Sequence, residues 1–245
     1  LKRQYHSPAL EPVYTAGYAW MGVILVAAFV FACSDLASLA LRRLPGLISP
    51  RQLTQLTLAI LFLVLARAFY GGFKTPPVKE VLLPFKNLPP ALEGFKIAQI
   101  SDMHLDSDWK LRQFAGIIEE INSARPDLVL ITGDLIDPGL AGQEKLVELA
   151  GKIKSRLGLF GSLGNHEYYY GLDAAMECYK AAKIRLLHNE AYDLSTGTGA
   201  AGSSGEKNLR LIGFGDIRSE NISEEDVKKL LERHKTGNFT VVMCH

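Results

Sequence analysis

The sequence is poor in cysteine and in net charge. Its three cysteines, Cys33, Cys178 and Cys244, show no paired spacing, which excludes a disulfide framework and a cysteine-based zinc knot. Its 27 basic residues are balanced by 26 acidic ones, for a formal net charge of +1, so the charge balance implies no nucleic acid or other polyanionic partner. Charge is also missing locally. Residues 13–34 carry none and centre on WMGVILVAAFVFA, a run long enough to cross a hydrocarbon core of about 30 Å as a helix. Residues 52–66 carry none either, and the apolar run continues past Arg67 to Phe73. Tyr70 and Phe73 are placed like interfacial anchors there.

These two runs predict a membrane region over residues 1–73, with transmembrane helices at about 13–41 and 52–73 joined by a loop over 42–51. A signal peptide, or a buried hairpin of a soluble protein, would also account for one apolar run. The first run exceeds a signal h-region and a second run follows it, which favours the membrane. Arg42, Arg43 and Arg51 lie in the loop, while Lys2, Arg3, Lys74 and Lys79 flank the pair. The positive-inside rule is therefore close to balanced and leaves the side open, with the extracytoplasmic side preferred for residues 95–245. The chain starts at Leu1 rather than Met and stops at His245 directly after a strand-like run. Both ends are expected to lie inside a longer protein.

Residues 74–94 contain Pro76, Pro77, Pro84, Pro89 and Pro90, as in a stiff, extended linker. Beyond it, residues 95–245 read as one α/β domain; with 48% hydrophobic residues in 245, the chain has enough apolar content for a full core. Residues 108–123 place Leu111, Phe114, Ile117, Ile118 and Ile121 on one helical face. Residues 128–132 form a continuous apolar run suited to a buried strand. Further helices are predicted over 143–153 and 172–183, and another up to His234 behind the Ser223-Glu224-Glu225-Asp226 cap. Further strands are predicted over 95–100, 159–163, 208–214 and 239–244. The Gly/Ser/Thr-rich residues 195–207 read as a mobile hairpin loop.

Polar residues gather where these strands end. Residues 95–104 read FKIAQISDMH, so a strand runs out into Asp102 and His104. Gly133 and Asp134, with Asp137 beyond, follow the second strand. Gly164, Asn165, His166 and Glu167 follow the third, and His245 follows the last. Strand ends are where open α/β sheets hold their ligands, and glycines before Asp134 and Asn165 permit tight turns there. A set of carboxylate, imidazole and amide donors suits Mn, Fe or Zn. An Asp shared between two such ions can bridge them, and a metal pair about 4 Å apart can clamp a displacement at phosphorus.

Other polar residues have plainer readings. His188 reads as a structural or surface histidine, and His234 as a favourable helix-terminal group. Cys244 reads as a small buried hydrophobe. Glu167 reads as a supporting or solvated group rather than a ligand. Tyr168, Tyr169 and Tyr170 could line a substrate mouth or simply pack.

Asp102-x-His104, Gly133-Asp134-x-x-Asp137 and Gly164-Asn165-His166-Glu167, in this order, resemble the signature of calcineurin-like metallophosphoesterases. The phrases GFKIAQISDMHLD and GNHEYYYG are similar to the bacterial branch of that family with N-terminal membrane helices. The resemblance covers residues 94–245. It implies two mixed sheets packed face to face, with helices outside, behind a transmembrane hairpin. It implies that Asp102 and His104 bind one divalent metal ion, that Asp134 bridges two, and that Asn165 and His245 bind the second. His166 would protonate the leaving group and Asp137 would orient His166, while a metal-bound hydroxide attacks a phosphomonoester or phosphodiester. A phospholipid or nucleotide-linked lipid is the natural substrate beside a membrane. The family's later Gly-His-x-His motif is absent, which sets the activity of residues 1–245 alone in doubt and leaves a catalytically silent, membrane-anchored metal-binding scaffold or sensor as the alternative.

Overall fold

The computed structural model describes residues 11–43, 46–137, 143–196 and 207–245. The predicted loop over 195–207 therefore lies largely outside the described residues. The chain divides into two compact units, Leu1–Lys74 and Thr75–His245.

The first unit contains α1 (Glu11–Leu41) and α2 (Pro50–Phe73). Ser49 starts α2 with a capping box: its hydroxyl accepts from the Gln52 N–H, and the Gln52 side chain accepts from the Ser49 N–H. Pro50 follows in the first turn, where its missing N–H costs nothing. The helices touch through a 2.7 Å hydrogen bond between Ser34 Oγ and the buried Thr57 Oγ1. Most of their large apolar side chains face outward, with Trp20 64%, Phe29 71% and Phe62 70% exposed. Water would penalise that much bare apolar surface, whereas lipid does not. Both helices are long and apolar enough to cross a membrane.

The second unit is a two-sheet α/β structure. A parallel sheet runs in the order β1 (Ile97–Ile100), β2 (Leu128–Thr132), β3 (Leu159–Ser162), β4 (Arg185–Leu186). A second sheet runs β5 (Glu190–Ser195), β6 (Lys207–Gly213), β7 (Phe239–Met243). There β5 pairs antiparallel with β6, and β6 pairs parallel with β7. Among the described strands, those of the second sheet are mixed in direction and those of the first are all parallel, with helical crossovers leading into β2, β3 and β4.

Strand β2 is buried along its whole length and shows how the layers are made. Val129 and Ile131 face a core with Leu111, Phe114, Ile118 and Ile121 of α3 (Asp108–Ala124), Leu146 of α4 (Gln143–Ala150) and Tyr179 of α6 (Leu172–Ala181). Leu128 and Leu130 face the other way, onto Leu194, Leu209, Leu211 and Met243 of the second sheet. A period of two thus serves two cores at once, which is why the strand reads as continuously apolar. Leu92, in a short 3-10 turn over Pro90–Leu92, is buried in the core between the sheets, and Leu88 packs against it. The short α5 (Asn165–Tyr170) follows β3 directly, and the amphipathic α7 (Glu224–Arg233) sits behind the Ser223 capping box.

Candidate metal centre

The turns after β1 and β2 are joined backbone to backbone. The Asp102 N–H donates to the Gly133 carbonyl at 3.2 Å, His104 N–H to Asp134 at 2.9 Å, Leu105 N–H to Leu135 at 2.9 Å, and Asp137 N–H back to Leu105 at 3.1 Å. This path forces Asp102, His104 and Asp134 into the left-handed region, with φ of 56°, 47° and 52°. Asp and His tolerate that region better than most residues. Strain of this kind persists where surrounding structure over-determines it, typically at functional sites.

The turn after β3 packs on the same place. A Cβ on Gly133 would lie 2.7 Å from the backbone of Gly164 and 2.9 Å from Cβ of His245. A Cβ on Gly164 would lie 2.2 Å from Asp134 Oδ1. Only hydrogen fits at both positions. Gly164 then starts α5, so Asn165 is its first residue and lies one step from this contact.

Six of the side chains singled out by the sequence converge here. Asp134, 3% exposed, uses Oδ1 to accept the His166 N–H at 2.9 Å. Its Oδ2 faces three imidazoles: His245 Nε2 at 3.2 Å, His104 Nε2 at 3.7 Å and His166 Nε2 at 4.0 Å. Asp102 Oδ1 lies 3.9 Å from His104 Nε2. Behind the rings, Asp137 Oδ1 contacts Nδ1 of His104 at 3.3 Å and hydrogen-bonds Nδ1 of His166. The two rings meet edge to face, with centroids 4.3 Å apart. The seventh residue, Asn165, is placed at the site by its backbone, and its side chain makes no hydrogen bond among the described residues.

His245 is oriented from the opposite side. Its Nδ1 contacts the Thr132 carbonyl at 3.0 Å, which makes Nδ1 the donor and turns Nε2 toward Asp134. Burial opposes its charged form, but the Thr132 carbonyl and the carboxylates of Asp134, Asp102 and Asp216 outweigh that and raise its pKa.

The donor chemistry fits divalent metal ions. One ligand atom from each of Asp102, His104 and Asp134 can be chosen so that all lie within 4.8 Å of one another. Among the described residues, these carboxylates and Asp137 form ion pairs only with imidazoles, never with Lys or Arg. A buried carboxylate without a fixed cation needs another source of positive charge. The grouping of His104, Asp137 and His166 is different in kind, since its atoms already touch through hydrogen bonds.

Of the two expectations for Glu167, a supporting or a solvated group, the structure shows the first. It is neither solvated nor a ligand, being completely buried beneath the turns. Oε2 accepts from the N–H groups of Asp134 at 3.0 Å and Gly164 at 2.8 Å; Oε1 accepts from Leu135 at 2.8 Å, Ile136 at 3.2 Å and the Tyr179 hydroxyl at 3.2 Å. Burial raises its pKa, and the four N–H donors offset this only in part. With both oxygens occupied by N–H donors, the geometry is that of a carboxylate.

The three tyrosines separate. Tyr168 donates to Glu220 at 2.5 Å, and Tyr170 accepts from Gln143 Nε2 at 2.6 Å. Tyr169 is 61% exposed, with its ring 5.3 Å from that of His166. Glu220 also holds His188 Nε2 and, at 2.7 Å, Asn189 Nδ2, so His188 is structural. His234 caps α7 and its carbonyl accepts from Arg210 at 2.6 Å. Cys244 is exposed rather than buried: Met243 turns inward at the end of β7 and the next residue turns out.

Comparison with known proteins gives the family of the chain. An uncharacterized metallophosphoesterase of Helicobacter pylori is 28% identical over 181 residues, covering 73% of this chain and 45% of its own. One from Campylobacter jejuni is 33% identical over 200 residues, covering 80% and 49%. The transmembrane protein with metallophosphoesterase domain of Danio rerio is 29% identical over 174 residues, covering 68% and 40%. The chain thus spans about half the length, or less, of these relatives. The profile of the calcineurin-like phosphoesterases matches residues 95–245, which hold every side chain of the site, and the chain belongs to that family.

Proposed function

We propose that this protein is a membrane-anchored, metal-dependent phosphoesterase whose site is the cluster around Asp134. The observation that carries the reading is the convergence of three imidazole Nε2 atoms on Asp134 Oδ2, with Asp137 braced behind two of them. In this reading residues 1–73 anchor the protein as a multi-pass membrane region, residues 74–94 link it, and residues 95–245 carry the site. Asp102, His104 and Asp134 hold one ion; Asp134, Asn165 and His245 hold the other. Mn, Fe or Zn suit the donor set.

The ions, when bound, supply Lewis-acid charge at the phosphoryl group and lower the pKa of the attacking water. The chain supplies the rest. Asp137 fixes the ring of His166 through Nδ1, so that Nε2 delivers a proton to the leaving oxygen. That pairing favours turnover over a silent metal-binding scaffold, which has no use for an oriented proton donor. The membrane helices favour a lipid-linked phosphomonoester or phosphodiester, because they keep the site close to lipid.

Full-length protein in detergent, titrated with Mn²⁺ and assayed on bis-p-nitrophenyl phosphate, tests the assignment. Wild type should bind two ions per chain. His166→Ala should keep both and lose roughly 10²–10⁴-fold in kcat, the usual scale for a positioned acid–base group. Asn165→Ala should weaken one ion. Equal metal loss in the two variants would overturn the roles given to them.

A further inference from the structure

We infer that Glu167 is a positioning residue that fuses the turn carrying Asp134 and the turn carrying Asn165 into one unit, so that the second metal ion depends on it far more than the first does. The inference rests on the site assignment proposed above and goes beyond it, because Glu167 touches no ion and no substrate.

Gly133-Asp134 and Gly164-Asn165 belong to different strand ends, and the Cα of Gly164 packs against the Asp134 carboxylate. One direct hydrogen bond joins the two turns, from the His166 N–H to Asp134 Oδ1 at 2.9 Å, and it fixes only the side chain of Asp134. Glu167 joins backbone to backbone: its Oε2 accepts simultaneously from Asp134 N–H and Gly164 N–H, one donor from each turn. Its Oε1 takes the next two N–H groups of the first turn, Leu135 and Ile136. Without that carboxylate these donors would be left buried and unpaired, which proteins rarely tolerate. Tyr179, itself fully buried, closes the far side of the same oxygen.

The bracing is one-sided. The turn carrying Asp102 and His104 is tied to Gly133 and Asp134 by backbone hydrogen bonds that do not involve Glu167. The proposed first ion, on Asp102, His104 and Asp134, thus keeps most of its frame when Glu167 changes, because these backbone bonds still hold the Asp134 turn. The second ion draws Asn165 from the turn whose backbone Glu167 ties to that of Asp134 through Oε2. Substitution at Glu167 should separate the two affinities. A residue that served folding only would move both or neither.

The test uses full-length protein stripped of metal and titrated with Mn²⁺, read by calorimetry for the two binding steps and by electron paramagnetic resonance for the coupled Mn–Mn signal. Glu167→Gln replaces one acceptor oxygen with an NH₂ group that faces N–H donors. Weakening of the second step by about 10–100-fold, the usual scale for groups that support metal ligands, is expected. The first step should move by less than about threefold, and the coupled signal should vanish at two equivalents of Mn²⁺. Glu167→Asp, which keeps the charge at shorter reach, should give an intermediate second step and carries the test if Glu167→Gln does not fold. Equal weakening of both steps, or no change in either, overturns the inference while leaving the site assignment standing. A wild-type protein that binds no Mn²⁺ overturns both.

Discussion

Glu167 and Glu220 make an instructive pair. They lie at neighbouring places in the second unit, linked through α5: Glu167 belongs to that helix, and Glu220 accepts from its Tyr168. Each gathers several donors from separate stretches of chain. The donors differ in kind. Glu167 is fully buried and held mainly by backbone N–H groups. Glu220 is partly exposed and held by the side chains of Tyr168, His188 and Asn189. A carboxylate that anchors backbone determines where neighbouring residues are. One that anchors side chains determines only how those side chains point. The difference predicts that crowding the first region disturbs chemistry, while crowding the second disturbs only local stability.

A single methyl group added beside each carboxylate system separates the two cases most sharply. In Gly164→Ala the new Cβ falls 2.2 Å from Asp134 Oδ1 and 2.6 Å from Asp134 N. Neither atom can yield without moving a proposed metal ligand. The expected cost is about 1–3 kcal/mol of stability, as for overpacking in a closed core, together with loss of tight Mn²⁺ binding, since Asp134 serves both proposed ions. Thermal unfolding with and without Mn²⁺ checks both. A variant with wild-type metal affinity would show the turn to be compliant and break the comparison.

Gly215→Ala is the matched experiment. Its Cβ meets Glu220 Cδ, Oε1 and Oε2, each at 2.7 Å. These atoms are the far end of a side chain and can swing away, releasing Tyr168, His188 and Asn189. The hydrogen bonds lost are partly exposed, so the cost should be about 1 kcal/mol, and Mn²⁺ binding should stay at the wild-type level. A large loss of metal here would mean that α5 is positioned through Tyr168 as much as through Glu167.

The contrast also explains what was legible in the sequence. Strands β1, β2 and β3 could be read because apolar runs stop at Asp, Gly-Asp and Gly-Asn, and the ligand-type residues follow at once. The helix face of α3 could be read from its spacing, and Leu111, Phe114, Ile118 and Ile121 are buried. Helix α5 could not: NHEYYY has no apolar periodicity, and its N-cap is a glycine. Strand β4 is two residues long, too short for any pattern. For Glu167 the supporting role could be read but its partners could not. Its partners are backbone N–H groups, which every residue but proline possesses, so no side-chain pattern marks them. The exposure of Cys244 was within reach, since alternation along β7 from the inward Met243 gives it.

The smallest expected effect tests the chemistry of the second carboxylate rather than its space. Burial raises the Glu220 pKa, but hydrogen bonds from Tyr168, His188 and Asn189 outweigh it and leave the pKa below the ordinary 4.5. A carboxyl that is more acidic in the folded state stabilises the fold when ionised. Its contribution is fully present above pH 4.5 and is lost as the pH falls below that value, through the lower folded-state pKa. Glu220→Gln keeps the shape and removes the charge. At pH 7 the variant should unfold a few degrees below wild type, since about 1 kcal/mol corresponds to roughly 2–4 °C in a chain of this size. As the pH falls below 4.5 the two melting curves should converge, because wild type loses its advantage there. The Tyr168 hydroxyl, whose own pKa is raised by burial and by Glu220, remains a donor throughout and does not blur the comparison. A gap that persists unchanged at acid pH would mean that Glu220 acts through shape alone, and the distinction drawn between the two carboxylates would then rest on packing rather than on charge.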